Sequence, residues 1–227
     1  MSSEKQENIF MKVWDLPLRI FHWALLISIM GCFVSGKMEN WAIHERFGMS
    51  VMALILFRII WGFIGSETAQ FRNFLTMPKA VFATAKQMWK KQSSLSRGHS
   101  PVGGYATLAL LAIPLVMAFT GSISTDDILY DGPFYHLASE WSQLAGRIHH
   151  LGEKAIIAIV ILHLGALGFY WFALRKNIIT PMVTGRQKQL QGEDVTLTKA
   201  RSIFGLCLLG SFIIIAQWAI TLRPDYF

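Results

Sequence analysis

Charge is scarce in this chain. Asp, Glu, Lys and Arg make up 15% of its 227 residues, where a soluble domain carries about a quarter. That shortage excludes an ordinary aqueous globule and points to lipid. Cysteine is scarcer still. Cys32 and Cys207 each sit alone in an apolar run, which excludes a disulfide framework and a cysteine metal cluster. No Cys-x-x-Cys-His motif occurs, so covalent haem attachment of the c type is excluded. Both thiols read as small apolar residues. The first apolar run starts late and is long, so the polar opening Met1–Met11 does not read as a signal peptide.

What fills the chain instead is apolar sequence, 53% of the residues. A membrane-spanning helix needs about 20 mostly apolar residues. Five runs qualify: Leu16–Gly36, Ala42–Gly65, Val102–Ile123, about Gly146–Leu174 and Ile203–Leu222. Trp14, Trp41, Trp61, Trp171 and Trp218 lie near run ends, where interfacial aromatics belong. The formal net charge of +7 could suggest nucleic acid. The basic residues, however, fall in short loops beside apolar runs, so no nucleic-acid partner is expected and membrane lipid is.

Those loops set an orientation. Arg72, Lys79, Lys86, Lys90, Lys91 and Arg97 lie between the second and third runs. Arg175, Lys176, Arg186, Lys188, Lys199 and Arg201 lie between the fourth and fifth, and Lys5, Lys12 and Arg19 precede or open the first. The third-to-fourth loop instead carries Asp126, Asp127, Asp131 and Glu140 against Arg147. The N-terminus is therefore expected in the cytoplasm and the C-terminus in the periplasm. Pro78–Lys91 alternates apolar and basic residues at helical spacing and is expected to lie on the inner membrane surface.

An ionisable residue in a spanning run is a functional hypothesis by default. His22, His44 and His163 lie in or at the ends of such runs, and His149–His150 opens the fourth. On the expected topology they divide by depth. His44 pairs with His149 or His150 near the outer face, and His22 pairs with His163 nearer the inner face. Facing helices that offer two imidazoles at one depth are a common way to hold haem b. His149 and His163 are fourteen residues apart, about 40° around the helix and about 21 Å along it. His150 is about 140° from His163 by the same arithmetic, so His149 is the expected ligand and His150 the alternative. Zinc would need its ligands together. A proton relay would recruit carboxylates inside the helices, and none is expected there.

Haem propionates need cations. Arg58 lies inside the second run and Arg19 one turn before His22; both are candidates for the inner haem, with snorkelling and inside-positive anchoring as the plainer readings. His99, in Gly98-His99-Ser100-Pro101, could meet a propionate or a quinone headgroup, or simply be solvated. His136 receives no role. Helical glycines such as Gly31, Gly36, Gly48, Gly121 and Gly165 read by default as packing positions, some of which could admit a flat porphyrin.

Several motifs in order then resemble a known family. Trp14-Asp15-Leu16-Pro17-Leu18-Arg19-Ile20-Phe21-His22-Trp23 is similar to the opening of bacterial cytochrome b561 and the b-type cytochromes of nickel–iron hydrogenases. So are His44-Glu45-Arg46-Phe47-Gly48, Arg58-Ile59-Ile60-Trp61-Gly62-Phe63-Ile64-Gly65, Gly98-His99-Ser100-Pro101-Val102-Gly103 and the His149 to His163 stretch ending near Thr184-Gly185. The resemblance implies an all-α integral membrane fold, a four-helix dihaem bundle over residues 12–185 with His22, His44, His149 and His163 as ligands. Residues 186–227 would add a cytoplasmic linker and a fifth C-terminal transmembrane helix. The expected function is transmembrane electron transfer through two haems b between the quinone pool and a periplasmic partner such as a c-type cytochrome, in a bacterial inner membrane. The alternatives are a membrane subunit of a hydrogenase-like oxidoreductase and a quinone-linked superoxide oxidase. The last would use Lys37 and Arg46 as outer cations.

Overall fold

The computed structural model describes residues 10–90, 98–125, 130–188 and 197–222. The expectations that involve Lys5, Lys91, Arg97, Asp126, Asp127 and the Arg223–Phe227 tail lie outside them. Five helices are long and apolar enough to cross a membrane. They are α1 (Leu16–Lys37), α2 (Trp41–Ile64), α5 (Pro101–Ile123), α6 (Ser142–Gly168) and α8 (Lys199–Ile220). Three short helices join them: α3 (Phe71–Phe74), α4 (Pro78–Trp89) and α7 (Ile179–Thr184).

The starts of the long helices are written locally. Asp15 accepts from Leu18 N at 2.7 Å, with Pro17 in the first turn of α1. Asn40, Ser100 and Thr198 cap α2, α5 and α8 through Ile43 N, Gly103 N and Arg201 N. Each cap satisfies a backbone donor that the helix itself leaves open. The fourth expected run begins earlier, at Ser142, and passes at its far end into a π-helical turn, Phe169–Ala173.

α1 packs along α2, α2 along α5, and α5 along α6, while α8 lies against α2 and α1. The buried core, Leu18, Phe21, Leu54, Ile55, Phe57, Trp61, Leu111 and Leu209, joins α1, α2, α5 and α8. The fifth helix is thus a brace on the α1–α2 side. Gln217 donates to Arg46 O and Ser50 Oγ, and Arg201 to Ile64 O. Gly205 admits Trp61 and Pro17 against its backbone. The outward residues of α8, Ile214, Ile215 and Trp218 among them, are exposed apolar surface, which suits lipid.

One end of the molecule carries a two-stranded antiparallel ribbon, β1 (Phe10–Lys12) with β2 (Arg186–Lys188). It is absent from the expectations above. Gly185 allows it: at φ 79° it ends α7 and its carbonyl accepts from Val13 N and Trp14 N. α4 is the helix expected from Pro78. It has no buried residue, and Phe82 and Trp89 are 77% and 89% exposed.

Candidate functional site: two facing histidine pairs

At the end away from the ribbon, His44 of α2 and His149 of α6 face each other with ring centres 6.0 Å apart. Two imidazoles bonded to one metal at about 2 Å each hold their ring centres about 6 Å apart. The rings are already oriented. His44 Nδ1 lies 2.8 Å from Cys32 O, and His149 Nδ1 lies 2.8 Å from Met117 O. A carbonyl only accepts, so both Nδ1 atoms carry the proton and both Nε2 atoms keep a free lone pair, the form a metal needs. A cavity with about 910 Å³ of empty space, its open mouth included, adjoins them. Trp41, Glu45, Gly48, Tyr130 and His150 share its wall.

Glycine makes the room. A Cβ on Gly121 would stand 2.7 Å from His149 Cε1, and one on Gly36 would stand 3.1 Å from His44 Nδ1. Gly48, one turn from His44, would project its Cβ into open space, so the cavity there is walled by bare backbone. Sequence reasoning treated these glycines as packing positions by default. The carbonyl partners Cys32 and Met117 leave no side-chain signal at all. His150 meets His149 edge-on, ring centres 6.4 Å apart.

Two carboxylates stand inside spanning helices, which corrects the expectation of none. Glu45 is buried and accepts from Tyr130. Glu153 pairs with Lys37 at 2.7 Å, joining α6 to α1. Both adjoin the cavity end, and neither lies on the helical turn of His22 or His163.

Nearer the ribbon, His22 of α1 and His163 of α6 lie within electrostatic range of one another. His22 Nδ1 is buried and has no hydrogen-bond partner among the described residues. His149 and His163 belong to one unbroken α-helix, so the separation of about 21 Å along a shared face holds.

Arg58 is 1% exposed, donates from Nη2 to Ala69 O at 3.0 Å and lies over the Phe71 ring. Arg19 donates from Nη1 to Val183 O, which ties α1 to α7, while its Nε is buried without a partner among the described residues. Asp15 accepts from Trp61 Nε1 and Ser66 Oγ besides its cap bond. Burial, with Arg58 as the second cause, pushes His99 down to about 3, so its ring is neutral.

Four histidines on three helices, two with a fixed tautomer and one with an orphaned buried nitrogen, fit haem. A membrane b-type cytochrome is the class these features define. The prokaryotic cytochrome b561 family model matches residues 13–185, and the chain belongs to that family. Its relatives include proteins named "probable Ni/Fe-hydrogenase B-type cytochrome subunit" in Azotobacter chroococcum and Rhizobium leguminosarum. They are 25% and 23% identical, over 80% of this chain in both cases and 89% and 90% of theirs. The Escherichia coli K12 protein of the hydrogenase 1 type is 23% identical over 84% of this chain and 96% of its own. No solved structure matches the chain. The protein is a multi-pass bacterial membrane cytochrome b with a role in electron transfer, and haem b is its cofactor.

Proposed function

We propose that the chain holds two haems b, one between His44 and His149 and one between His22 and His163, and moves electrons across the membrane. The observation that carries this reading is the opposed His44–His149 pair with both Nδ1 protons committed to helix carbonyls. Iron held by two imidazoles supplies a one-electron couple with no open position, which suits transfer. The protein's share is to fix the imidazoles and to exclude water. His149 serves because its Nδ1 is anchored, and His150 is left at the cavity wall. Arg58 and Arg19 are the cations offered to the propionates of the haem nearer the ribbon. Residues 12–185 form the dihaem unit, and 186–227 add the linker and brace.

Lys12, Arg186 and Lys199 lie on elements at the ribbon end, which supports an N-terminus in the cytoplasm and a C-terminus in the periplasm. The electrons then run between membrane quinone and a redox protein at the periplasmic, cavity end, of the kind a c-type cytochrome represents. The names of the relatives favour a second reading, a membrane-anchored hydrogenase-like oxidoreductase as the partner. The superoxide reading has less support, because Lys37 is engaged by Glu153.

The test is a liposome that contains the chain and a quinol, with a membrane-impermeant oxidant on the cavity side. Oxidant should be reduced at the expense of quinol, and His22→Ala should stop it. Equal reduction without the chain would contradict the reading.

A further inference from the structure

The ribbon end holds a buried polar group that the histidine pairs do not use. Arg58 spends one nitrogen on Ala69 O, and its Nη1 is buried without a partner among the described residues. A desolvated guanidinium is costly unless its donors are met. Asp15 does not meet them: it interacts with Arg58 through space, and its oxygens serve Leu18 N, Trp61 Nε1 and Ser66 Oγ. His99 approaches from the start of α5. Its ring is held between Trp14 and Phe74, at 4.8 and 4.5 Å between ring centres, and its Nδ1 is also buried without a partner among the described residues.

We propose that Arg58 and His99 clamp one carboxylate, and that this carboxylate is a propionate of the haem held by His22 and His163. The inference rests on the dihaem reading above. A guanidinium N–H and an imidazole N–H offer two donors with one positive charge, which matches the two oxygens of a carboxylate. Two buried donors set among aromatic rings suit the fixed arm of a resident cofactor better than a ligand that must come and go. Location agrees too. Phe57, the residue before Arg58, packs on Phe21, the residue before His22, at 6.2 Å between ring centres.

The test uses the full chain with its haems, in lipid nanodiscs. His22→Ala first identifies the spectrum and midpoint potential of the haem nearer the ribbon. Then Arg58→Gln and His99→Phe are titrated; Phe fits the slot between Trp14 and Phe74, so His99→Phe keeps the test open if Arg58→Gln fails to fold. Losing a donor leaves the carboxylate more negative and favours ferric iron. The haem nearer the ribbon should lose about tenfold in its reduction equilibrium, about 59 mV for one electron, with the other haem unmoved. Haem labelled with ¹³C at its propionates should show one carboxylate band displaced in redox-difference infrared spectra. Unmoved bands and unchanged potentials would overturn the clamp. Unmoved bands with quinone turnover lost would also overturn it and give the two donors to a quinone carbonyl. If His22→Ala removes no haem, the dihaem reading itself fails, a result distinct from either.

Discussion

The two histidine pairs sit on the same long helix, α6, yet they are held in different ways. At the cavity end each imidazole is anchored to a carbonyl of a neighbouring helix, and glycines on α1 and α5 are cut to its shape. At the ribbon end His22 has an orphaned Nδ1, and His163 is carried by a helix whose one extensive helix partner, among the described residues, is α5. The difference teaches that, on the dihaem reading proposed above, one pair is held in place by the protein's own hydrogen bonds and the other, among the described residues, is not. Preorganisation lowers the ordering cost of binding, so the cavity-end haem should be the firmer of the two.

The largest effects should come from the ligands themselves. His44→Ala or His149→Ala should remove the cavity-end haem and leave the other; His22→Ala or His163→Ala should do the converse, each read as haem per chain. His150→Ala should remove neither, and loss of a haem from it would reassign the ligand. A step smaller, Gly121→Val should drive a side chain into His149 and weaken the cavity-end haem alone. Its retention at full occupancy, with an unchanged spectrum, would deny the glycine its role. Graded guanidinium in detergent should release the ribbon-end haem first, and the reverse order would invert the comparison. Asp15→Ala should cost about 1–3 kcal/mol for the donors it strands, seen as a lower thermal midpoint. Smallest is Lys37→Ala. Its bridge to Glu153 is half-exposed at both ends, and such pairs contribute about 0.2–1 kcal/mol.

Much of this was legible in the residues. The five spans were readable because lipid demands long apolar runs, and their starts because Asp15, Asn40, Ser100 and Thr198 cap by side chain. The histidine pairs were expected from helical period and depth, and the structure sets the His44 and His149 rings 6.0 Å apart. Other features were hidden for physical reasons. The anchors of His44 and His149 are backbone carbonyls, which any residue supplies. Glu45 lies in the first turns of α2, and Glu153, well inside α6, is met by Lys37 of a helix far away in sequence, a partner that no local pattern announces. The ribbon pairs Phe10–Lys12 with Arg186–Lys188, far away in sequence, and neither strand has a pattern of its own. The fifth helix acts as a brace through partners far away in sequence: Gly205 admits Trp61 and Pro17, and Gln217 reaches Arg46 and Ser50.

The central claim is that one chain carries two haems b at two depths. It is tested most directly by the pyridine haemochrome of the purified chain, counted per polypeptide, alongside His22→Ala and His149→Ala. The account predicts two haems b in the parent chain and one in each variant, with different spectra left behind. A single haem in the parent chain, or variants that both lose the same one, would contradict it.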